Sequence, residues 1–480
     1  MGNTRHKVVV VGGGITGLSA AFYAKAALRE SGLDADVRLI EKSGRLGGRI
    51  NTLRRDGFVI EKGPDSFLAR KLPIIELSRA LGLEDELVGT NPNAKKTYIL
   101  HKGKLHRMPQ GLVLGIPTEW SPFLKTGLIS TAGKARAALD LVLPKRTDPS
   151  DESLGHFLER RLGREVLENI AEPLLAGIYA GDTFQLSLAA TFPQFRAVEQ
   201  KKRSLVLGMM ASRKEGQALP GLPAAAKSSV FLTYKNGLST LVERLEAELG
   251  DIVQTGRGIV SLSQHIAADG RAEYDLELDS GERITADAVV LTQPAAATAK
   301  LLAGIPEAEH LAGIRYVSVA NVILAFDAKD IPLPLDGTGY VIPRKEGTTI
   351  TACTWTSTKW LHTAPQGKVL LRCYVGRSGA EQWVHWSDEE LIAKVRTDLR
   401  EMHGIQAEPL FQEITRLPHS MPQYPVGHLD ALRRLRARLA SERPGVYVAG
   451  AALEGVGLPD CIRQGRDAAK SAVDYIRGHR

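Results

Sequence analysis

The 480-residue sequence predicts an α/β protein built on a discontinuous, Rossmann-like dinucleotide-binding domain, and three observations carry that expectation. The first is Val8-Val9-Val10-Val11-Gly12-Gly13-Gly14-Ile15-Thr16-Gly17, an apolar run that passes through three spaced glycines into a helical pattern. The second is Glu41, which ends another apolar run, Val37-Arg38-Leu39-Ile40, 24 residues beyond Gly17. The third lies near the other end of the chain, where Val446-Tyr447-Val448-Ala449-Gly450 leads through Gly455 and Gly457 to a helix expected from Ile462.

Each part of the first motif has a physical task. Gly12 permits the tight turn, Gly14 lets the main chain approach a pyrophosphate, and Gly17 lets the helix pack closely on its strand. The helix N-terminus supplies unpaired N–H groups to the anion. The Glu41 carboxylate is placed to accept from a ribose hydroxyl and would repel a 2′-phosphate, which disfavours an NADP-type ligand. The C-terminal turn offers a second helix N-terminus, suited to the other end of the same ligand.

Length and composition point to two or three domains of an ordinary globular chain, 43% hydrophobic and 24% charged. No run approaches the roughly 18 apolar residues of a membrane span, and Met1-Gly2-Asn3-Thr4-Arg5-His6-Lys7 leads directly into the first strand, so no signal peptide is expected. Cys353, Cys373 and Cys461 are odd in number and widely spaced, which suggests neither a disulfide framework nor a zinc site. Histidines such as His419 and His428 have no ligand spacing, and no bound metal is expected. A cytoplasmic location fits, with peripheral contact on the inner face of the membrane as an extension of it.

The net charge of +8 is unevenly distributed. Residues 91–146 alone carry a net +8 and residues 196–235 a net +6, leaving the remainder at −6. A polyanionic ligand or an anionic membrane surface suits such a middle. Nucleic acid is not expected, because aromatic residues are not interleaved and no helix-turn-helix or zinc pattern is present.

Along the chain, the dinucleotide domain is expected from 1–90 with 230–300 and 425–480. A mostly helical basic domain is expected over 91–229, with periodic stretches at Leu154–Leu158 and Val166–Ala171 and caps at Ser150, Asp151, Glu152 and Ser153. Its segment from Gly111 to Lys125 is apolar and punctuated by prolines, suited either to a membrane surface or to burial. Gly237–Leu245 reads as an amphipathic helix, Ile252–Val260 as an incoming strand, and Tyr274–Leu278 with Arg283–Asp287 as a hairpin around Asp279-Ser280-Gly281. Ala288–Thr292 is a fully buried strand, and the strands within 301–424 form a separate mixed sheet placed to roof the ligand.

The dinucleotide is distinguished by Arg45-Leu46-Gly47-Gly48-Arg49 and Glu61-Lys62-Gly63-Pro64-Asp65-Ser66, which an NAD domain does not need. Here the chain resembles the amine-oxidase and protoporphyrinogen-oxidase superfamily of FAD enzymes. The resemblance narrows at Glu172-Pro173-Leu174-Leu175-Ala176-Gly177-Ile178-Tyr179-Ala180-Gly181-Asp182, at Leu188 with Thr191-Phe192-Pro193, at Met421-Pro422-Gln423-Tyr424 and at Gly455-Val456-Gly457 with Pro459-Asp460-Cys461-Ile462. Together these are similar to the oxygen-dependent porphyrinogen oxidases, most of all the coproporphyrinogen III oxidases of the Gram-positive haem pathway.

That resemblance implies an α/β architecture with a discontinuous Rossmann-like FAD-binding domain, a mixed-sheet substrate domain and an inserted helical domain. It implies FAD contacts at Gly12, Gly13, Gly14, Ile15, Thr16, Gly17, Glu41, Lys42, Arg49, Gly63, Pro64, Asp65 and Ser66. It adds the backbone of Ile259 at the adenine, and Ala451, Val456, Gly457 and Leu458 at the isoalloxazine. The implied chemistry is three two-electron oxidations of a porphyrinogen, with O2 as final acceptor and H2O2 as product. Four propionates on coproporphyrinogen suit the basic middle better than the two of protoporphyrinogen, which is the alternative substrate. Lys71, just past the Asp65-Ser66 turn, is a candidate propionate partner, and Tyr374 on the roofing strand a candidate tetrapyrrole contact; Arg107 and Asn321 are lesser candidates. No paired-carboxylate or His/Asp base stands out. A downstream ferrochelatase is a conceivable partner. A non-catalytic flavoprotein that docks a membrane or a haem-pathway enzyme is the reading from a different class. An amine oxidase is disfavoured because Ala451-Ala452-Leu453-Glu454 lacks the aromatic residues that cage an amine.

Overall fold

The computed structural model describes residues 6–214, 221–267 and 270–478; Met1 to Arg5, ahead of the first strand, and Glu215 of the basic stretch lie outside the described residues. A five-stranded parallel sheet runs in the order Val253–Gln254, Ala35–Ile40, His6–Val11, Ala288–Leu291, Val446–Val448. Strands from both ends and the middle of the chain therefore share one sheet. Val8 to Val11 and Ala288 to Leu291 are all buried, as continuous apolar runs must be when both faces of a parallel sheet are covered.

Helices Ile15–Ser31 and Leu458–Arg477 pack on one face of this sheet. They meet so closely at Gly465 that a Cβ there would stand 2.2 Å from the Thr16 carbonyl oxygen. The last helix starts at Leu458, four residues before its expected start at Ile462. Gly457 caps it and Pro459 occupies its first turn, where the missing N–H costs nothing.

The expected single strand over Ile252–Val260 is two. Val253–Gln254 pairs with Leu39 and Ile40, and Ile259–Ile266 opens a separate antiparallel sheet with Ala272–Leu278 and Arg283–Ala286. The break falls where Gly256, at φ 70°, turns the chain into a left-handed conformation. The hairpin around Asp279-Ser280-Gly281 forms as the turn residues predict.

A seven-stranded mixed sheet faces the parallel one, in the order Phe411–Pro422, Tyr316–Asp327, Lys368–Val375, Ile350–Trp355, Gly337–Val341, Lys96–His101, Lys104–Arg107. Its last two strands come from the stretch expected to be helical from residue 91. They form a hairpin whose turn, Lys102-Gly103, has φ of 50° and 71°, the conformation that matches strand twist. The helices follow: Leu154–Leu162, capped by the Ser153 hydroxyl accepting from the His156 N–H, then Leu167–Ala171 wound as a π-turn into Glu172–Tyr179. Of the apolar 111–125 segment, Ile116 and Phe123 are fully buried among these helices, whereas Leu124 is 54% exposed.

Candidate functional site

Three glycine-bearing turns converge at the C-terminal edge of the parallel sheet. A Cβ on Gly17 would stand 1.8 Å from the Gly12 carbonyl oxygen, so helix and turn touch through main chain. A Cβ on Gly63 would be equally close to the Arg49 carbonyl oxygen. Gly14 bridges Gly47 in parallel fashion, yet no atom lies within 4 Å of where a Gly14 Cβ would stand. Gly14 thus faces an open cradle lined by main chain, the shape that receives a pyrophosphate.

Glu41 accepts from the Gly13 N–H at 2.5 Å and from the Ser43 N–H and hydroxyl at 2.7 Å. The segment from Gln254 to Ile259 packs beside it: Glu41 N–H donates to the Gln254 carbonyl and Arg257 N–H to the Glu41 carbonyl. Ile259 is buried at the start of its strand, and Lys42 is exposed next to Gly258. Ile15 and Thr16 are buried at the helix start. Arg49 is exposed, with one guanidinium nitrogen 3.0 Å from the His419 carbonyl oxygen. At the other end, the 450–457 turn is held from two sides. The Gln464 side chain accepts from Gly450 N–H and donates to the Glu454 carbonyl, and the buried Tyr424 hydroxyl accepts from Gly455 N–H and donates to the Ala451 carbonyl. Val456, Gly457 and Leu458 lead from it into the last helix.

The mixed sheet grips the Gly63 turn with side chains. Asn321, 3% exposed, donates to the Lys62 carbonyl at 3.0 Å, and Arg372, 4% exposed, donates to the Gly63 carbonyl. Burial alone would raise the Asp65 carboxyl, but the Lys359 ammonium at 3.1 Å and the Arg372 guanidinium hold it well below the usual carboxylate range. Ser66 donates to Asp65, and Pro64 sits between them and Gly63. Burial pushes the Glu61 carboxyl up to about 7, against hydrogen bonds from Leu238 N–H and Thr52 and the pull of Arg372.

Of the substrate candidates, Lys71 is paired with Asp460 of the last helix at 2.8 Å, which puts it beside the 450–457 turn. Tyr374 lies under the Arg372 guanidinium, 4.9 Å from its ring centre. Arg107 is exposed on the edge strand of the mixed sheet, apart from this cluster, and Asn321 serves the Lys62 carbonyl. Sequence reasoning overlooked Arg372, although an arginine inside Val369-Leu370-Leu371-Arg372-Cys373-Tyr374-Val375 is itself a signal, since an apolar strand admits a charge only for a specific partner. Cys353 and Cys373, distant in sequence, face each other on neighbouring strands with sulfurs 3.8 Å apart as free thiols.

A glycine cradle on a discontinuous parallel sheet, a second helix N-terminus opposite it and a mixed sheet closing over both define a dinucleotide-dependent oxidoreductase of the flavoprotein class. The chain belongs to the flavin containing amine oxidoreductase family, whose model matches residues 15–473. It is 47% identical to a coproporphyrinogen III oxidase of Bacillus subtilis (strain 168), over 99% of this chain and 100% of that protein. It is 41% identical to a coproporphyrinogen III oxidase of Staphylococcus aureus, over 97% and 98%. A solved Exiguobacterium sp. 255-15 structure, described as a protoporphyrinogen oxidase, superposes with a TM-score of 0.86 at 38% identity, over 99% and 100% of the two chains. The cofactor is FAD, and the open main-chain cradle at Gly14 fits it. Among the described residues no helix is long and apolar enough to cross a membrane.

Proposed function

We propose that the protein oxidises coproporphyrinogen III to coproporphyrin III by six electrons, with O2 as acceptor and H2O2 released, in haem biosynthesis. Full-length similarity to coproporphyrinogen III oxidases, at 47% identity to the first, is the observation that carries this reading. Bound FAD supplies the two-electron acceptor. The chain's own part is to hold that acceptor and present the macrocycle to it. Gly12 to Gly17 seat the pyrophosphate, Glu41 accepts from the ribose, and the 450–458 turn supports the ring end of the cofactor. Asn321 and Arg372 fix the Gly63 turn by its carbonyls, so the contact surface is set before substrate arrives. Lys71, 43% exposed beside Asp460, is placed to meet a propionate, and Tyr374 offers a half-buried ring beside Arg372 on the mixed sheet.

Exposed Lys95 and Lys104 at the edge of the mixed sheet, with Lys125, Lys201 and Lys202 among the helices, supply surface positive charge in the middle of the chain, which attracts the four propionates and would also favour peripheral contact with an anionic membrane. Direct transfer of product to a ferrochelatase would use the same charge. The deciding experiment compares anaerobic flavin reduction and aerobic peroxide yield with coproporphyrinogen III and protoporphyrinogen IX. Faster reduction by the former with three peroxides per porphyrin is expected; preference for the latter would move the enzyme to the later step, and bleaching by neither would leave a non-catalytic flavoprotein. If the basic middle serves substrate, raising salt raises the KM for coproporphyrinogen more than for protoporphyrinogen; equal salt dependence would detach that charge from catalysis.

A further inference from the structure

Behind the Gly63 turn, between the face of the mixed sheet and the hairpin that carries Glu61, lies a small cavity walled by Glu61, Asp65, Thr233, Trp360, His362 and Arg372. It has room for one or two waters. Its polar lining is unfinished: Arg372 Nε and Nη1, the Trp360 indole N–H and the Thr233 hydroxyl are buried without a hydrogen-bond partner. Four such groups around one void call for bound water, since each left unpaired would cost roughly 1–3 kcal/mol. The Arg372 guanidinium spans the wall, with its third nitrogen donating to Gly63, the residue whose main chain is expected to touch the flavin.

The oxidation proposed above releases a proton that needs a destination. In each round a meso C–H bond breaks and its electron pair leaves with the hydrogen as hydride to the flavin, a pyrrole N–H bond breaks to give a proton, and a double bond forms in the ring; over the three rounds one further meso hydrogen shifts as a proton to a pyrrole nitrogen, so that the net loss is four meso C–H and two N–H bonds. Returning those two electrons to O2 consumes one proton for each H2O2 made. The two half-reactions therefore balance if a single site takes the proton in the first and gives it back in the second.

We propose that this cavity is that proton store: waters held by Arg372, Trp360 and Thr233 connect the flavin-facing turn to Glu61, whose carboxylate accepts the substrate-derived proton and returns it for peroxide formation. The inference rests on the porphyrinogen-oxidase reading. Among the charged groups around Glu61, Asp65 is pinned as an anion by Lys359 and Arg372, and Lys62 turns away to Glu413 at 2.5 Å. His362 is kept neutral, first by burial and then by Lys235. Glu61 is thus the carboxyl of the wall free to change charge, and its elevated pKa suits a group that must both take and give a proton near neutrality.

The test is infrared difference spectroscopy of the holoenzyme on light-driven reduction of its bound FAD with no porphyrinogen present, where solvent replaces substrate as the source of the proton that the negative charge of the reduced cofactor draws to the store, followed by stopped-flow of both half-reactions from pH 5.5 to 8.5. Wild type is expected to gain a protonated-carboxyl band on reduction at pH 7 that is absent from Glu61→Gln, and Glu61→Gln to slow both flavin reduction and reoxidation by about tenfold or more, with the inflection near pH 7 gone. The same band in Glu61→Gln, or half-reaction rates within twofold of wild type, would overturn the proposal. Should Glu61→Gln lose its flavin, Thr233→Val is the second variant: a slowing of about twofold to fivefold in both half-reactions with the band retained supports the store, and unchanged rates sink it. A band in wild type together with no oxidation of either porphyrinogen would keep the proton store and remove the substrate assignment.

Discussion

Where the parallel sheet meets the cofactor cradle, Gly12, Gly14 and Gly17 present bare main chain; where the mixed sheet meets it, Asn321 and Arg372 present side chains to the carbonyls of Lys62 and Gly63. The first arrangement leaves no room for an added atom at Gly12 and Gly17, keeps open space at Gly14, and needs no particular functional group. The second places a guanidinium and a carboxamide inside a sheet core, at a desolvation cost that only specific partners offset. Substitutions should therefore fail differently in the two regions, by collision in one and by orphaned polarity in the other.

Gly17→Ala is expected to have the largest effect. Its methyl would collide with the Gly12 carbonyl oxygen and the Thr292 hydroxyl, forcing helix and turn apart at a cost of about 3 kcal/mol or more. Thermal unfolding and flavin content of the purified protein should fall together. Gly14→Ala sharpens the comparison, because its Cβ meets no protein atom and its φ of −71° suits alanine. It should leave the apoprotein's Tm nearly unchanged and weaken FAD binding alone. If both variants lose stability equally, the open cradle at Gly14 is wrong.

Arg372→Met follows. It leaves the Gly63 carbonyl short of a donor and Asp65 with Lys359 as its remaining cation, which should cost about 2–4 kcal/mol by urea denaturation. Asp65 then loses part of what holds its carboxyl down, so the variant's deficit should shrink as pH falls and Asp65 protonates. Arg372→Lys keeps a charge but not the fork, and should recover only part of the loss.

This difference explains what could be read in the sequence. The glycine spacing and the C-terminal turn were legible because main-chain geometry selects glycine where an L side chain would collide. The hairpin at Asp279-Ser280-Gly281 was legible for the same reason. Arg372, the Lys102-Gly103 hairpin strands and the split at Gly256 were not. Arg372 acquires its role only when Gly63, some 309 positions away, is brought to it by the fold. Lys96–His101 carries a strand pattern, but its partner Gly337–Val341 lies in another part of the chain, so local periodicity gave it to the helical stretch that follows. Lys71 was legible as a candidate, while its tie to Asp460 was not, because that too joins residues from opposite ends of the chain.

Stability against pH separates the regions again, with opposite signs. His403 of the mixed-sheet domain is held neutral by burial, its pKa lowered to about 4, and packs edge-on against Tyr340 at 4.9 Å. A depressed folded-state value means stability that is present above the unfolded pKa of 6.5 and lost as pH falls through 4. Glu61 is raised to about 7, so its contribution is present below the unfolded value of 4.5 and lost as pH rises through 7. His403→Phe should thus gain on wild type below pH 5, and Glu61→Gln above pH 7, each by about 2 kcal/mol at the extremes. Parallel curves for wild type and either variant would show that the group does not titrate as its burial requires.

Lys71→Met should have the smallest effect on stability and a disproportionate one on substrate. The Lys71–Asp460 pair joins the turn after Ser66 to the last helix, but the lysine side chain is 43% exposed, so breaking it should cost about 1 kcal/mol or less. The ammonium is nonetheless held at Asp460 in the first turn of the last helix, just past the 450–457 turn, and a propionate arriving there would compete with Asp460 for it. Lys71→Met should therefore raise KM for coproporphyrinogen about tenfold with kcat within a few-fold, and Asp460→Asn, which releases the lysine, should lower KM or leave it unchanged. A Lys71→Met enzyme with wild-type KM would return the lysine to a purely structural tie between the two ends of the chain. That outcome would move the propionate contacts to the side chains of the mixed sheet, leaving main chain to hold the cofactor and the sheet alone to choose the substrate.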